Sequence, residues 1–199
     1  MGVKLVSASA GSVEIVAPAT ALNYTATLPT GSGTLVINNV NSSIVSGTVQ
    51  PSTAGTSIDF TNIPSWAKRI TVMLNGVSTN GTSKVLVQIG DSGGIETSGY
   101  LGSVVFAESS DTATNLSSGF ITDNTATAAG VRHGALIISQ VDASAFSWVC
   151  FGNIGRSDAA AVSVVGGSKA LSAALDRVRI TTVNGTDTFD AGSINILYE

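Results

Sequence analysis

The chain has 199 residues, of which 11% are charged, and its 9 Lys and Arg against 13 Asp and Glu leave a net charge of −4. Soluble proteins average about 25% charged residues, so solubility here rests on hydroxyls and amides, as in surfaces locked into an assembly or facing the outside of a cell. Binding to nucleic acid needs a basic stripe along the phosphates, and the tight basic clusters are only Lys68-Arg69 and Arg177 with Arg179.

The first fifty residues read as strand-like pieces at 12–17, 22–28, 34–38 and 43–49, with Tyr24 as their one aromatic. That is thin material for an independent core. Residues 1–50 are therefore expected to be an attachment or oligomerisation segment ordered by neighbours. Residues 51–56, Pro-Ser-Thr-Ala-Gly-Thr, read as a linker. Residues 57–199 hold both Trp and all six Phe and are expected to form the folded head.

Along the head, apolar residues recur at every second position. Ile58 and Phe60 come first, then Ile70, Val72 and Leu74, then Val85, Val87 and Ile89. Val178 and Ile180, and Ile194, Ile196 and Tyr198, repeat the pattern near the end. Period two places apolar side chains on one sheet face and polar ones on the other. Asn75-Gly76, Asn80-Gly81 and Asn184-Gly185 are short-turn signals, because both residue types tolerate positive φ. Residues 168–175, with Leu171 and Leu175 four apart, are the one stretch that reads as helix, too short to be stable alone. Many short strands with frequent turns predict an all-β fold, a jelly-roll-like β-sandwich.

Chemistry-bearing residues are few. Cys150 is the single cysteine and lies in the apolar run Phe146-Ser-Trp-Val-Cys-Phe151, which reads as a buried small hydrophobe. His133, the single histidine, would have to serve any Ser–His–acid triad. It reads instead as an exposed loop residue opening a strand at Ala135, with no Gly-x-Ser-x-Gly beside it. Asp91 with Glu96 and Asp187 with Asp190 are the nearest carboxylate pairs. A glycosidase needs such a pair, but these lie among turn formers and read as loop acids. They match no calcium-loop spacing. Gly90-Asp-Ser-Gly-Gly94 lacks the Lys of a phosphate loop. The expectation is a protein that is not an enzyme and carries no cofactor and no metal. Met1–Leu5 is followed by no long apolar run, and runs such as Ala135-Leu-Ile-Ile138 reach four residues against about 20 for a membrane span. The protein is expected to be made in a cytoplasm without membrane insertion.

Two stretches carry a resemblance. Residues 11–19, 23–29 and 33–36 resemble a segment that precedes the head in tail-fibre and other virion proteins of tailed bacteriophages. Residues 60–64, 68–78, 87–96 and 98–100, with 175–180, 189–192 and 195–198, are similar to the C-terminal β head module of that tail-fibre receptor-binding family. The resemblance implies a virion protein, a homotrimer held to other virion proteins by its N-terminal segment, whose head binds a host-surface glycan or protein. The long repeats of a fibre shaft are missing here, which fits a compact tip or appendage. A capsid-decorating or cement protein, a fibre adaptor, and a small glycan-cleaving enzyme are the other readings. Candidate receptor contacts are Trp66 after Ile63-Pro64, Tyr100, Arg132 and His133, because glycan recognition combines aromatic faces with polar loops.

Overall fold

Alternating apolar residues recur through the chain, and among the described residues every element is a strand. A computed structural model describes residues 3–7, 11–15, 44–107, 111–124, 127–128 and 130–199. The chain divides into two compact units, Met1–Asn39 and Val40–Glu199. In the first, β1 (Val3–Ser7) pairs antiparallel with β2 (Gly11–Ile15), Val3 opposite Ile15 and Ser7 opposite Gly11. The strand-like pieces at 22–28 and 34–38 lie outside the described residues.

The second unit is a sandwich of two antiparallel sheets. Its strands are β3 (Val45–Ser46), β4 (Gln50–Pro51), β5 (Ser57–Phe60), β6 (Arg69–Thr79), β7 (Val85–Asp91), β8 (Gly94–Ile95) and β9 (Leu101–Ala107). They continue with β10 (Thr112–Asn115), β11 (Phe120–Ile121), β12 (Arg132–Asp142), β13 (Ser147–Arg156), β14 (Val162–Ala170), β15 (Leu175–Thr182) and β16 (Phe189–Tyr198). The large sheet runs β10-β9-β14-β13-β12-β6-β16-β3, with β4 also on β16. The small sheet runs β11-β7-β15-β5, with β8 on β7.

The apolar sets anticipated by period two all point inward. Ile70, Val72 and Leu74 on β6 and Ile194 and Ile196 on β16 meet Val85, Val87, Ile89, Val178 and Ile180 of the small sheet in one core. Trp148 and Cys150 on β13 join it, and burial pushes the Cys150 thiol well above its ordinary range. A thiol so placed is inert. β7 is buried on both faces, because residues 116–119 cross behind it and the Gln88 amide donates to the Ser118 carbonyl at 2.8 Å.

Three expectations are corrected. Residues 168–175 form no helix: β14 runs through Ala170, pairing Lys169 with Trp148 and Ala170 with Ser147. Leu171 and Leu175 are both buried, at the end of β14 and the start of β15. Tertiary pairing outweighs the weak propensity of an eight-residue stretch. Asn75-Gly76 is not a turn but a bulge inside β6. The register against β12 skips from Val77–Arg132 to Asn75–His133, and Gly76 takes the extra place with φ of 69°. Opposite it, Gly192 (φ 91°) lies so close that a Cβ would stand 2.4 Å from the Gly76 oxygen. Finally, the expected boundary at residues 51–56 falls inside the head. β3 and β4 cap the edge of β16, with Gly47 N–H on the Ile196 oxygen at 2.8 Å and Ser52 N–H on the Gly192 oxygen at 3.0 Å. Pro51 suits that outermost position, where it owes no hydrogen bond to a further strand. The Asn184-Gly185 turn forms as anticipated, Gly185 with φ of 67° and the Asn184 side chain accepting the N–H of Thr186 and Asp187.

Candidate ligand-binding groove

Of the four residues anticipated as receptor contacts, Tyr100 and Arg132 are buried and unavailable to a ligand. Tyr100 lies edge-on to Phe120, ring centroids 4.9 Å apart. Its hydroxyl accepts the Ile89 N–H at 2.8 Å and donates to the Glu96 oxygen at 3.0 Å. Burial pushes this phenol up, out of any physiological titration. Arg132 opens β12 rather than sitting in a loop, and its side chain is fully enclosed. It donates to Asp123 Oδ2 at 2.9 Å and to the Gly130 oxygen at 2.8 Å. His133 is likewise a strand residue, half-buried. Its Nδ1 accepts the Gly76 N–H at 3.2 Å and its Nε2 lies 3.1 Å from Ser157 Oγ. A neutral ring that accepts at Nδ1 carries its proton on Nε2, so both nitrogens are engaged.

Trp66 stays at the surface, 52% exposed. The short turn that holds it is closed by the Ala67 N–H on the Pro64 oxygen at 2.9 Å. Ile63 and Ala67, on either side of the turn, are buried and anchor it. The indole packs on Tyr198 with centroids 5.6 Å apart and planes tilted by 48°.

Tyr198 connects this turn to a groove of about 310 Å³ where the outermost strands of the two sheets adjoin. Ile196 and Tyr198 contribute from β16. Thr48 and Gln50 stand on the β3–β4 side, and Asp59 and Asn62 on the β5 side. Asn62 has φ of 62°, a left-handed conformation that Asn adopts more readily than most residues. Both Asp59 oxygens are held by Arg179, at 2.7 and 2.8 Å. The groove therefore presents a fixed carboxylate, two carboxamides, the hydroxyls of Ser46, Thr48 and Thr61, and an aromatic ring. Its volume lies at the lower end of the range of about 300–1,000 Å³ typical of ligand sites. Asp59 also borders a second shallow groove of about 270 Å³ with Thr97, Arg177 and Arg179, so the polar surface continues across the small sheet.

Sequence reasoning passed over Gln50, Asp59, Asn62 and Tyr198. Gln50 sat at the edge of the expected linker, and Tyr198 closed a period-two core pattern. Asn62, beside Ile63-Pro64, offered the one usable signal, a residue type that accepts positive φ.

The carboxylates are engaged in hydrogen bonds within the fold, and two of the four expected in loops are strand residues, Asp91 ending β7 and Asp190 lying in β16. Ser172 Oγ donates to Asp91 Oδ2 at 2.6 Å while the Ser172 N–H donates to Glu96 Oε1 at 2.7 Å, and Lys169 pairs with Glu96. Asp190 accepts from Ser78 Oγ, and Asp187 accepts the Ser83 N–H at 2.8 Å. Among the described residues no three His, Cys, Asp or Glu side chains converge as a metal centre requires.

These bonds bear on acid stability. The Ser172 hydroxyl and the Gly93 N–H hold Asp91 below its ordinary range. Burial pushes Glu96 up, but Lys169 and the Ser172 N–H outweigh it and hold it low. The Arg156 guanidinium holds Asp158 down to about 2. A carboxyl lowered on folding contributes stability that is complete above its unfolded value, 3.8 for Asp and 4.5 for Glu, and is lost as pH falls through the folded value. Calorimetry across pH is therefore expected to give a melting temperature without loss from these groups down to about pH 5 and a progressive fall below about pH 4. A melting temperature still unchanged near pH 2 would contradict this account.

No family model, curated protein or solved structure matches the chain.

Proposed function

We propose that this chain is a virion surface protein of a tailed bacteriophage, a tail-fibre or appendage tip whose head binds the host cell surface. The resemblance of residues 60–64, 68–78, 87–96 and 98–100, with 175–180, 189–192 and 195–198, to fibre heads supports the class. The observation that carries the binding role is the groove beside Trp66, where an exposed indole on Tyr198 adjoins Asn62, Gln50 and the fixed Asp59 carboxylate. Aromatic faces pack on the C–H surfaces of a sugar, while amides and acids take its hydroxyls. A surface glycan is accordingly the ligand class. The copies are taken to form a homotrimer joined to other virion proteins through the N-terminal unit, Met1–Asn39. Several weak sites on one particle then act together, raising avidity with no new contact.

The test is adsorption of the purified full chain to cells of the host bacterium, and its competition with phage adsorption. Trp66→Ala removes an exposed side chain, so the fold should melt within about 1–2 °C of the parent. Adsorption should fall by about tenfold or more, since aromatic contacts dominate such sites and their loss is multiplied across copies. Undiminished adsorption by Trp66→Ala rejects the groove. Binding to emptied capsids and not to cells would favour the capsid-decorating role, and release of reducing ends from host polysaccharide would favour an enzyme.

A further inference from the structure

The two outward faces of the sandwich differ in character. On the small sheet, Arg177, Arg179, Asp59 and Thr181 make a polar surface with its own ion pairs. On the large sheet, period two sends Val105, Val162, Val164, Val149, Phe151 and Ile137 outward, because their strand neighbours Val104, Phe106, Ser163, Val165, Trp148, Cys150, Leu136 and Ile138 fill the inside. Asn153, Ala135, Met73 and Asn195 continue this face across the sheet. Around Phe151, Val149, Val164 and Ile137 the outward positions hold no carboxylate and no ammonium. Charge enters at the rim, with Arg69 paired to Glu199, Asp142 at the end of β12 and Asp190 near the start of β16.

The centre of this face has relief. Phe151 is 52% exposed and sits directly across from Gly166 in the β13–β14 ladder. Gly166 is exposed, and a Cβ placed there would meet nothing within 4 Å. A ring standing beside a glycine hollow, on one charge-free surface, is a shape that complements itself. A two-fold contact between copies needs such a self-matching patch.

We propose that the outward face of the large sheet is where a second copy of this chain packs, Phe151 of one copy seating in the hollow over Gly166 of its neighbour. The size fits. Six strands about 4.8 Å apart, each contributing about nine residues at about 3.3 Å, span roughly 800 Å². That matches the roughly 800 Å² per partner of a standard stable interface. The lack of charge fits as well, since interface centres are depleted of charged residues and enriched in aromatics. This contact is two-fold, so it joins copies in addition to the contacts of the homotrimer proposed above, and it rests on that reading only for the presence of more than one copy. Adsorption lost through the groove leaves it standing.

The experiment is sedimentation velocity and native mass spectrometry of the full chain at micromolar concentration. The parent is expected to assemble. Phe151→Lys would bury an ammonium at the contact and should weaken assembly by about a hundredfold or more. Gly166→Val fills the hollow at a site free of steric conflict within the chain. It should leave the melting temperature of the dissociated chain unchanged or raised, because glycine weakens strands, while assembly falls. Val183→Lys makes the same kind of change at an exposed valine beyond the small sheet and should leave assembly intact. A monomeric parent overturns the proposal, as does a Phe151→Lys chain that assembles like the parent. So does a Gly166→Val chain that folds and assembles normally, or assembly lost equally in Val183→Lys.

Discussion

A chain beginning at Val40 is expected to fold as the complete head does, whereas one beginning at Ser57 is expected to be destabilised by about 3–5 kcal/mol. The difference is the strap formed by β3 and β4. It lays Val45 and Ser46 beside Tyr198 and Leu197, and Gln50 and Pro51 beside Ile194 and Ser193. Ser52 is completely buried, with its hydroxyl on the Ala191 oxygen at 2.8 Å, and the Gly55 oxygen accepts the Phe189 N–H at 2.8 Å. Each such hydrogen bond contributes about 1 kcal/mol net, and more where its loss leaves a buried group unpaired. For a domain of this size each kcal/mol moves the melting temperature by about 2–4 °C, so the shorter chain should melt about 10 °C lower. It also leaves β16 as a bare edge, a template for aggregation, and removes the Thr48 and Gln50 side of the groove. Thermal melts and gel filtration of the two truncations test this. Equal melting temperatures would mean that the strap contributes nothing to the head.

The second large effect centres on the Arg132–Asp123 ion pair. Both side chains are fully enclosed. Arg132→Met is expected to cost about 3–5 kcal/mol, because the carboxylate of Asp123 is then buried without its cation. Arg132→Met together with Asp123→Leu removes both charges and should recover most of the loss, since an apolar pair of similar volume often replaces a buried ion pair at little cost. Urea unfolding midpoints of the single and double variants measure both effects. A double variant as unstable as the single one would place the loss elsewhere, for instance in the bond from Arg132 to the Gly130 oxygen. This pair closes one end of β12, where the sequence was expected to form a loop that offers Arg132 to a receptor.

Several features were legible from the residues because they are local. Alternation along β5, β6, β7, β15 and β16 needs only a strand to be read, and each of those strands lies where the pattern put it, although the second face of β7 is covered as well. Asn184-Gly185 works as a turn because its own side chain satisfies the backbone beside it. Burial of Cys150 followed from its apolar neighbours. Asn75-Gly76 was misread because the same positive φ that serves a turn also serves a bulge, and only the partner strand distinguishes them.

The amino-acid sequence by itself determined that this protein is all-β, where many of its strands run, and which side of each faces the core. The tertiary structure alone decided what lies opposite. It enclosed Tyr100 and Arg132, brought residues 44–52 to the edge of β16, joined Trp66 to Tyr198 beside Asn62, and set Phe151 next to Gly166. The physical reason is that side-chain direction repeats with the strand's own period of two, whereas register and sheet partners depend on residues far away in the chain. A polar group remains at the surface only if no distant segment arrives to cover and pair it, and for Tyr100 and Arg132 one does.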